Sequence, residues 1–212
     1  MINLRDTLAL LAAERPVFHS EADFQHALAW LIHERNPAAR IRLEYRLSEQ
    51  ERECLDLWVQ DDECALAMEL KYPTRLLTAE YAGEQFWLKN HSARDITRYD
   101  FIKDICRLER SVLARPGVTG YAVLLTNDSG YWTLPAHTET IDAAFRLHEA
   151  AQLSGTLAWA AHTGAGTMDG REAALELRGS YEMSWHDYST VGSNPNEGRF
   201  RYLLVRVDSE SL

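Results

Sequence analysis

Cysteine is scarce in this chain, which contains only three cysteine residues. Cys54, Cys64 and Cys106 form no C-x-x-C pair, and no histidine stands at the spacing of a zinc site. An odd number of cysteines without such spacing argues against both a disulfide framework and a structural zinc site. We therefore expect three free thiols that are buried or half-buried in the fold.

Long apolar runs and low-complexity tracts are missing as well. No segment approaches the roughly 18 consecutive apolar residues of a membrane-spanning helix. The first residues also lack the basic-then-apolar order of a signal peptide, and no internal repeat is visible. These absences predict a cytoplasmic protein without membrane contact.

Positive charge is in short supply, because 22 basic residues face 32 acidic ones and the formal net charge is −10. Such an acidic protein repels nucleic acid unless a local patch or a partner compensates. Residues 71–115 are the exception, with nine basic and six acidic residues, which leaves 13 basic and 26 acidic residues elsewhere. A basic segment of this kind is what binding to a phosphate backbone requires.

The remaining composition is that of an ordinary globular protein. The chain has 212 residues, of which 46% are apolar and 25% are charged, so it is long enough to bury a substantial core. No shift in composition marks an internal boundary. We therefore expect a single domain over residues 1–212.

The most informative segment is a pair of neighbouring predicted strands, Glu53 to Gln60 and Glu63 to Tyr72, joined by a tight turn near Asp61-Asp62. Side chains alternate between the two faces of a strand. One face is therefore apolar, with Leu55, Leu57, Val59, Cys64, Leu66, Met68 and Leu70. The other face carries Asp56, Trp58, Ala65, Ala67, Glu69 and Lys71. The apolar face requires burial, and the two alanines leave space beside the charged groups.

The two acids of this hairpin predict a metal site. Asp56 is expected to lie diagonally across from Glu69, within reach of one shared ion. Carboxylates this close raise each other's pKa unless a cation lies between them. Mg²⁺ prefers such oxygen ligands and keeps several waters, with the Leu70 carbonyl as a natural third ligand and Mn²⁺ as a substitute ion. Lys71 projects on the same face, where it orients an attacking water.

These residues resemble a known family. Asp56, followed after twelve residues by Glu69-Leu70-Lys71, is similar to the D…(D/E)-x-K signature of the PD-(D/E)XK nuclease superfamily. The resemblance implies metal-dependent hydrolysis of phosphodiester bonds in nucleic acid, DNA in the first instance, with Asp56, Glu69 and Lys71 as catalytic residues. Leu55 stands where the family often has a proline, but that proline ligates nothing.

The resemblance also implies a fold. It predicts an α/β restriction-endonuclease-like core of helix, three-stranded meander, helix and strand within residues 18–127. Residues 128–212 then form a C-terminal α+β extension on the same sheet. Within that extension the patterning predicts a helix over Ile141 to Gln152. The segment that begins at Trp185 is predicted to be an aromatic-bearing loop, either exposed for binding or, as the simpler alternative, packed at the rim of the core. Three further strands are predicted, at Leu157 to Ala161, Leu175 to Ser184 and Phe200 to Val207.

The helix predicted after Phe18 adds a fourth acid. Ser20 suits its N-cap, and the apolar stripe through Phe24 and Leu28 turns Glu21 inward. The superfamily often adds an acid from this helix, so Glu21 is a candidate metal ligand and catalytic residue. A solvated first-turn acid that stabilises the helix dipole is the alternative, and both remain open.

Candidate contacts to nucleic acid come from two other elements. The alternating strand from Arg40 to Leu47 offers Arg42 or Arg46 to phosphates. The second core helix, roughly Ile96 to Ala114, offers Arg98 and Lys103. An ordinary solvated helix face, on which Asp100, Asp104 and Glu109 alternate with the basic residues, explains these charges equally well. The segment Leu76 to Ser92 is expected to form a helix or an ordered loop.

Two other functions remain open at this point. A nuclease-like fold that no longer cuts can serve as a binding or assembly module, which the net charge of −10 favours. Alternatively, Glu69 and Lys71 form a structural ion pair without function, with Asp56 held by backbone or indole hydrogen bonds. Beside nucleic acid, a second copy of the chain or another protein is left open as a partner.

Overall fold

The computed structural model describes residues 2–47, 54–62, 64–192, 194–210 and 212. The segment 48–53 and Glu63 lie outside these residues. The predicted hairpin begins at Glu53 and includes Glu63, so these two positions of the hairpin are not described. The helices and strands in chain order are α1 (Leu4–Glu14), α2 (Glu21–Arg35), β1 (Arg40–Tyr45), β2 (Leu55–Gln60), β3 (Ala65–Lys71), β4 (Leu77–Tyr81), β5 (Glu84–Leu88), α3 (Arg94–Ala114), β6 (Val118–Thr126), a 3₁₀ turn (Ala143–Phe145), β7 (Gln152–Leu157), α4 (Ala165–Met168), β8 (Leu175–Glu182), β9 (Trp185–Thr190), α5 (Pro195–Gly198) and β10 (Arg199–Val207).

A mixed sheet of six strands organises the described part of the chain, in the order β1-β2-β3-β6-β10-β9. Strands β1, β2 and β3 form an antiparallel meander, and β6 then pairs parallel to β3. A parallel pair needs a long crossover, which α3 provides. The predicted α/β class is confirmed, and the order helix, meander, helix, strand is observed from α2 to β6. Strands β9 and β10 extend the same sheet, as predicted for the C-terminal extension, whereas β7 and β8 pair with each other in a separate two-stranded sheet.

The two faces of the sheet support two separate hydrophobic cores. Helices α1 and α2 pack on the face of Leu57, Leu66 and Met68. Helix α3 packs on the opposite face, against Ala67 and Ala122. The predicted alternation along β2 and β3 therefore places most of its apolar side under α1 and α2. Leu55 is the exception, because it packs in the opposite core with Trp58 and α3. The alanines do not leave open space, because their small side chains allow α3 to lie close to the sheet.

The segment Leu76 to Ser92, expected to be a helix or ordered loop, instead contains the hairpin of β4 and β5. Ala82 and Gly83 form its two-residue turn with φ of 51° and 82°. Positive φ at both turn positions is typical of a type I′ hairpin turn, whose twist matches that of the strands. Phe86 and Leu88 are buried, while Trp87 between them faces outward, which is the two-residue alternation of a strand.

Three other expectations in the C-terminal half were wrong. The predicted helix Ile141 to Gln152 is a short 3₁₀ turn within a loop, because the amides of Glu149 and Ala150 bond to the distant carbonyls of Trp132 and Met183 instead of to a preceding helical turn. The expected strand Leu157 to Ala161 ends at Leu157 rather than beginning there. The aromatic loop beginning at Trp185 is the edge strand β9, in which Trp185 is buried. Among the helices that the structure describes, none has the length and apolar character to cross a bilayer.

Candidate functional site

The backbone pairing between β2 and β3 ends before the last residues of β3, and the site lies where these residues no longer pair with β2. The last described pair is Leu57 with Met68, and continuing the register by one residue sets Asp56 directly beside Glu69, not diagonally as predicted. One residue further on, the Leu70 N–H donates to Asp56 Oδ2 at 2.6 Å. A side-chain carboxylate thus replaces the backbone partner that β2 no longer supplies.

Glu21 reaches the same short segment from α2. Ser20 caps the helix, as predicted, by accepting from the Asp23 N–H. Glu21 Oε2 then accepts from the Tyr72 N–H at 2.8 Å. Its residue is exposed rather than buried, but the carboxylate faces the end of β3. Two acids from different elements therefore bind backbone amides only two residues apart, on either side of Lys71.

Helix α3 contributes two residues that the sequence analysis did not select, Asp104 and Arg107. Asp104 Oδ2 lies 2.8 Å from Lys71 Nζ. Arg107 Nη1 lies 2.5 Å from Glu69 Oε1, and Arg107 Nη2 lies 3.2 Å from Asp104 Oδ1. The available signal was the helical period, because Asp104 falls within the inner stripe between Phe101 and Ile105 instead of on the solvated face.

Acidic groups outnumber basic ones in this cluster. It contains four carboxylates and two cations, namely Glu21, Asp56, Glu69 and Asp104 with Lys71 and Arg107. Burial raises the pKa of Asp56 from 3.8 to about 6, against the opposing effect of the Leu70 N–H. Burial also raises the pKa of Glu69 and of Asp104, and each of these two is further affected by the other charges of the cluster. Ionising Asp56, Glu69 and Asp104 together therefore carries a free-energy penalty, which an added cation would relieve.

Lys71 keeps its proton in this environment. Burial alone lowers the pKa of its ammonium group, but the adjacent Asp104 carboxylate more than offsets that effect and raises it overall. A permanently charged lysine cannot accept a proton as a general base. It can donate hydrogen bonds and stabilise negative charge.

The predicted metal ligands are Asp56, Glu69, Glu21 and the Leu70 carbonyl. Within the described ranges, no three His, Cys, Asp or Glu side chains converge as a set that could hold a metal ion. Mg²⁺, however, commonly uses only one or two carboxylates and completes its shell with water. Asp56 engages Leu70 through one oxygen and Glu69 engages Arg107 through one oxygen. The donor chemistry and the surplus of negative charge fit Mg²⁺, although Arg107 has to move away from Glu69 for that carboxylate to ligate fully.

A cleft of about 430 Å³ lies directly beside the cluster. Glu21 and Lys71 line it, and so do Trp87 and Lys89 from the β4–β5 hairpin and the end that follows it. Glu21 and Lys71 are therefore reached from solvent through a defined opening, whereas Asp56, Glu69 and Asp104 do not line it. A substrate of small cross-section can approach Lys71 along this route.

The predicted basic contacts do not form one patch. Arg42 is exposed on β1, opposite Trp58, and its guanidinium donates to the Ile41 carbonyl at 2.7 Å. Lys103 is half-buried and lines a different cleft, beside β8. Arg98 is 4% exposed, and its guanidinium binds Asp142 at 2.5 Å, so it is not available for the phosphate contact predicted for it.

Comparison with known proteins gives no further constraint on this site. No family model matches the chain, and neither a curated protein nor a solved structure matches it. Any function assigned to the chain therefore rests on the geometry and charge of the cluster itself.

Proposed function

We propose that the chain is a metal-dependent nuclease that hydrolyses phosphodiester bonds, with DNA as the first substrate to test. The observation that carries the proposal is the shared face of Asp56, Glu69 and Lys71 at the open end of the β2–β3 ladder. Their cluster has more carboxylates than cations and borders a cleft. A purely structural cluster gains nothing from an acidic surplus, because each unbalanced buried carboxylate destabilises the fold.

The roles follow from these positions. Asp56 and Glu69 would hold Mg²⁺ together with the Leu70 carbonyl, and Glu21 would complete the acidic set. When bound, the ion polarises a phosphoryl oxygen and lowers the pKa of a coordinated water. Lys71, kept protonated by Asp104, holds the attacking water by hydrogen bonding and stabilises negative charge that develops on the phosphate.

Cleavage assays test this assignment directly. Single- and double-stranded DNA is incubated with Mg²⁺ or Mn²⁺ and with wild type, Asp56→Asn or Lys71→Met. We expect each variant to lose at least about 100-fold in rate, since metal and charge stabilisation contribute several kcal/mol to such reactions. Asp187→Asn is the matched control, because Asp187 is an exposed acid on the edge strand β9 and pairs with Arg199. Cleavage that is unchanged in Asp56→Asn contradicts the proposal.

One observation favours a second candidate, a non-cutting binding or assembly module. Arg107 forms an ion pair with Glu69, and Lys71 forms one with Asp104. The protein's own cations therefore already contact two of the four carboxylates that a metal ion would otherwise neutralise. In that case millimolar Mg²⁺ produces no binding heat and no rise in melting temperature. Binding at 100 times the dissociation constant would instead stabilise the protein by about 2.7 kcal/mol.

A further inference from the structure

The β4–β5 hairpin presents an aromatic surface that the fold does not use. Trp87 is 69% exposed, whereas its neighbours Phe86 and Leu88 are 2% and 3% exposed. Strand alternation explains the contrast, because the neighbours point into the core under α2 and Trp87 points away. An indole left in water contributes little to stability, and such residues are frequent at binding surfaces.

The hairpin is held firmly against the candidate site. The His19 ring stacks on Phe86 with centroids 4.4 Å apart, and His19 Nε2 lies 2.9 Å from Glu84 Oε1. At the other end, Thr74 Oγ1 donates to the Lys89 carbonyl at 2.8 Å, and the His91 N–H donates to the Thr74 carbonyl at 2.7 Å. Trp87 is therefore carried on a positioned element and not on a loose loop.

The cleft that Trp87 lines contains groups suited to a phosphate chain. Lys71 lies in its wall, and Trp87 and Lys89 lie two residues apart on the outward side of the hairpin. Glu21 also lines the cleft, but its carboxylate repels a phosphate unless a cation lies between them. His19 and His91 supply further nitrogen atoms to the lining. One aromatic face beside an ammonium group is the combination that binds unpaired nucleotides, by stacking on the base and neutralising the backbone.

We infer that this cleft binds single-stranded nucleic acid, with a base stacked on Trp87, Lys89 on the backbone and the scissile phosphate at Lys71. The inference rests on the proposed function, since it assigns the substrate class of the same site. Stacking on an indole face requires an unpaired base, because bases inside a duplex already stack on their neighbours. The cleft volume of about 430 Å³ is that of a small-ligand site and not of a groove built for a duplex.

Binding without cleavage tests the inference separately from catalysis. Fluorescence anisotropy of a labelled oligothymidylate is measured in EDTA, so that no hydrolysis occurs. We expect Trp87→Ala to weaken binding about 5- to 160-fold, which corresponds to the roughly 1–3 kcal/mol of one stacked base, and Trp87→Phe to restore most of it. Trp30→Ala is the matched control, because Trp30 is 58% exposed on α2 and does not line the cleft. Lys89→Gln is expected to reduce the slope of log affinity against log salt by about 0.7.

The outcomes separate the two proposals. Absence of oligothymidylate binding by wild type, equal affinity of Trp87→Ala and wild type, or tighter binding of the matching duplex overturns the inference. If Asp56→Asn abolishes cleavage while Trp87→Ala leaves both binding and KM unchanged, the nuclease assignment stands and the inference fails. Binding that depends on Trp87 but is never followed by cleavage supports the stacking surface and counts against hydrolysis.

Discussion

Replacing Asp56 by asparagine is expected to make the metal-free protein more stable while abolishing its activity. Burial raises the pKa of Asp56 from 3.8 to about 6, so the folded state holds a proton that the unfolded chain has already released. The asparagine is neutral at every pH and still offers an oxygen to the Leu70 N–H, which donates to Asp56 at 2.6 Å. The substitution therefore removes the penalty of ionisation and retains the hydrogen bond.

The size of the effect follows from linkage between proton binding and folding. Because the folded pKa is the higher one, ionisation of Asp56 lowers stability as pH rises from about 4 to about 6, and the loss is complete above that range. A shift of about two pKa units corresponds to about 3 kcal/mol at pH 8 and to about 0.5 kcal/mol near pH 4. At pH 8 this equals a rise of about 6 to 12 °C in Tm for a chain of this length.

Urea unfolding in EDTA at pH 8 and pH 4 measures the difference. We expect Asp56→Asn to exceed wild type by up to about 3 kcal/mol at pH 8 and the two to converge near pH 4. The control Asp187→Asn is expected to stay within about 0.5 kcal/mol of wild type, because Asp187 is an exposed acid on the edge strand. An asparagine variant that is less stable than wild type at pH 8, or a difference that does not change with pH, refutes the reasoning.

Three further predictions concern the scaffold. Glu109→Ala is expected to lower the free energy of unfolding in urea by at least about 3 kcal/mol. Glu109 is 1% exposed and accepts from the Arg178 N–H, a neighbouring amide and a tyrosine hydroxyl, and all three donors lose their partner. A loss below about 1 kcal/mol would contradict this prediction. Arg98→Met is expected to cost about 1.5–3 kcal/mol at pH 7, because it removes one buried charged partner of Asp142 and leaves the carboxylate with Arg146 and Thr140; unchanged stability would disprove it. Hydrogen bonding and Arg98 lower the pKa of Asp142 despite its burial. The stabilisation that the ionised Asp142 provides is therefore present above its ordinary pKa and is lost as pH falls through the folded pKa, so the effect of Arg98→Met should diminish at acid pH. Gly83→Ala is expected to lower stability by about 1 kcal/mol in thermal denaturation, because φ is +82° and a residue with a Cβ is strained there. The added methyl group meets nothing within 4 Å, so no steric clash adds to that strain, and a neutral result would show that the turn relaxes.

The part of the site carried by β2 and β3 could be predicted because strand alternation is a local property. Once Leu57 and Met68 must face a core, Asp56 and Glu69 have to face the other side, whatever the rest of the chain does. The inward direction of Glu21 was less certain, because it depends on how α2 meets the end of β3. The pattern alone gave the residues but not the hydrogen bond to the Tyr72 N–H.

The contributions of α3 were missed because their partners are far away in the sequence. Arg98 was expected to face solvent, but its partner Asp142 follows 44 residues later, in a segment expected to be a helix. Asp104 was treated as part of a solvated face, although its position in the inner stripe indicated burial. A charged residue in an apolar stripe shows that a partner is needed without showing which residue supplies it.

The β4–β5 hairpin was missed because its turn has no strong sequence signal. A type I′ turn is usually marked by Asn-Gly or Asp-Gly, whereas this one has Ala82 at its first position. The alternation of apolar Leu77, Ala79 and Tyr81 with polar residues in β4 was the better indicator. Trp87, the residue on which the binding inference depends, therefore lay in a segment to which the pattern assigned no definite structure.

The most direct measurement of the central claim is anomalous scattering from crystals soaked in Mn²⁺. The account predicts a single manganese peak between Asp56 and Glu69, ligated by the Leu70 carbonyl, with the Arg107 guanidinium moved away from the Glu69 carboxylate. No peak at this position, with Arg107 still on Glu69 and Lys71 still on Asp104, would contradict the account and leave the cluster as an internal network of ion pairs.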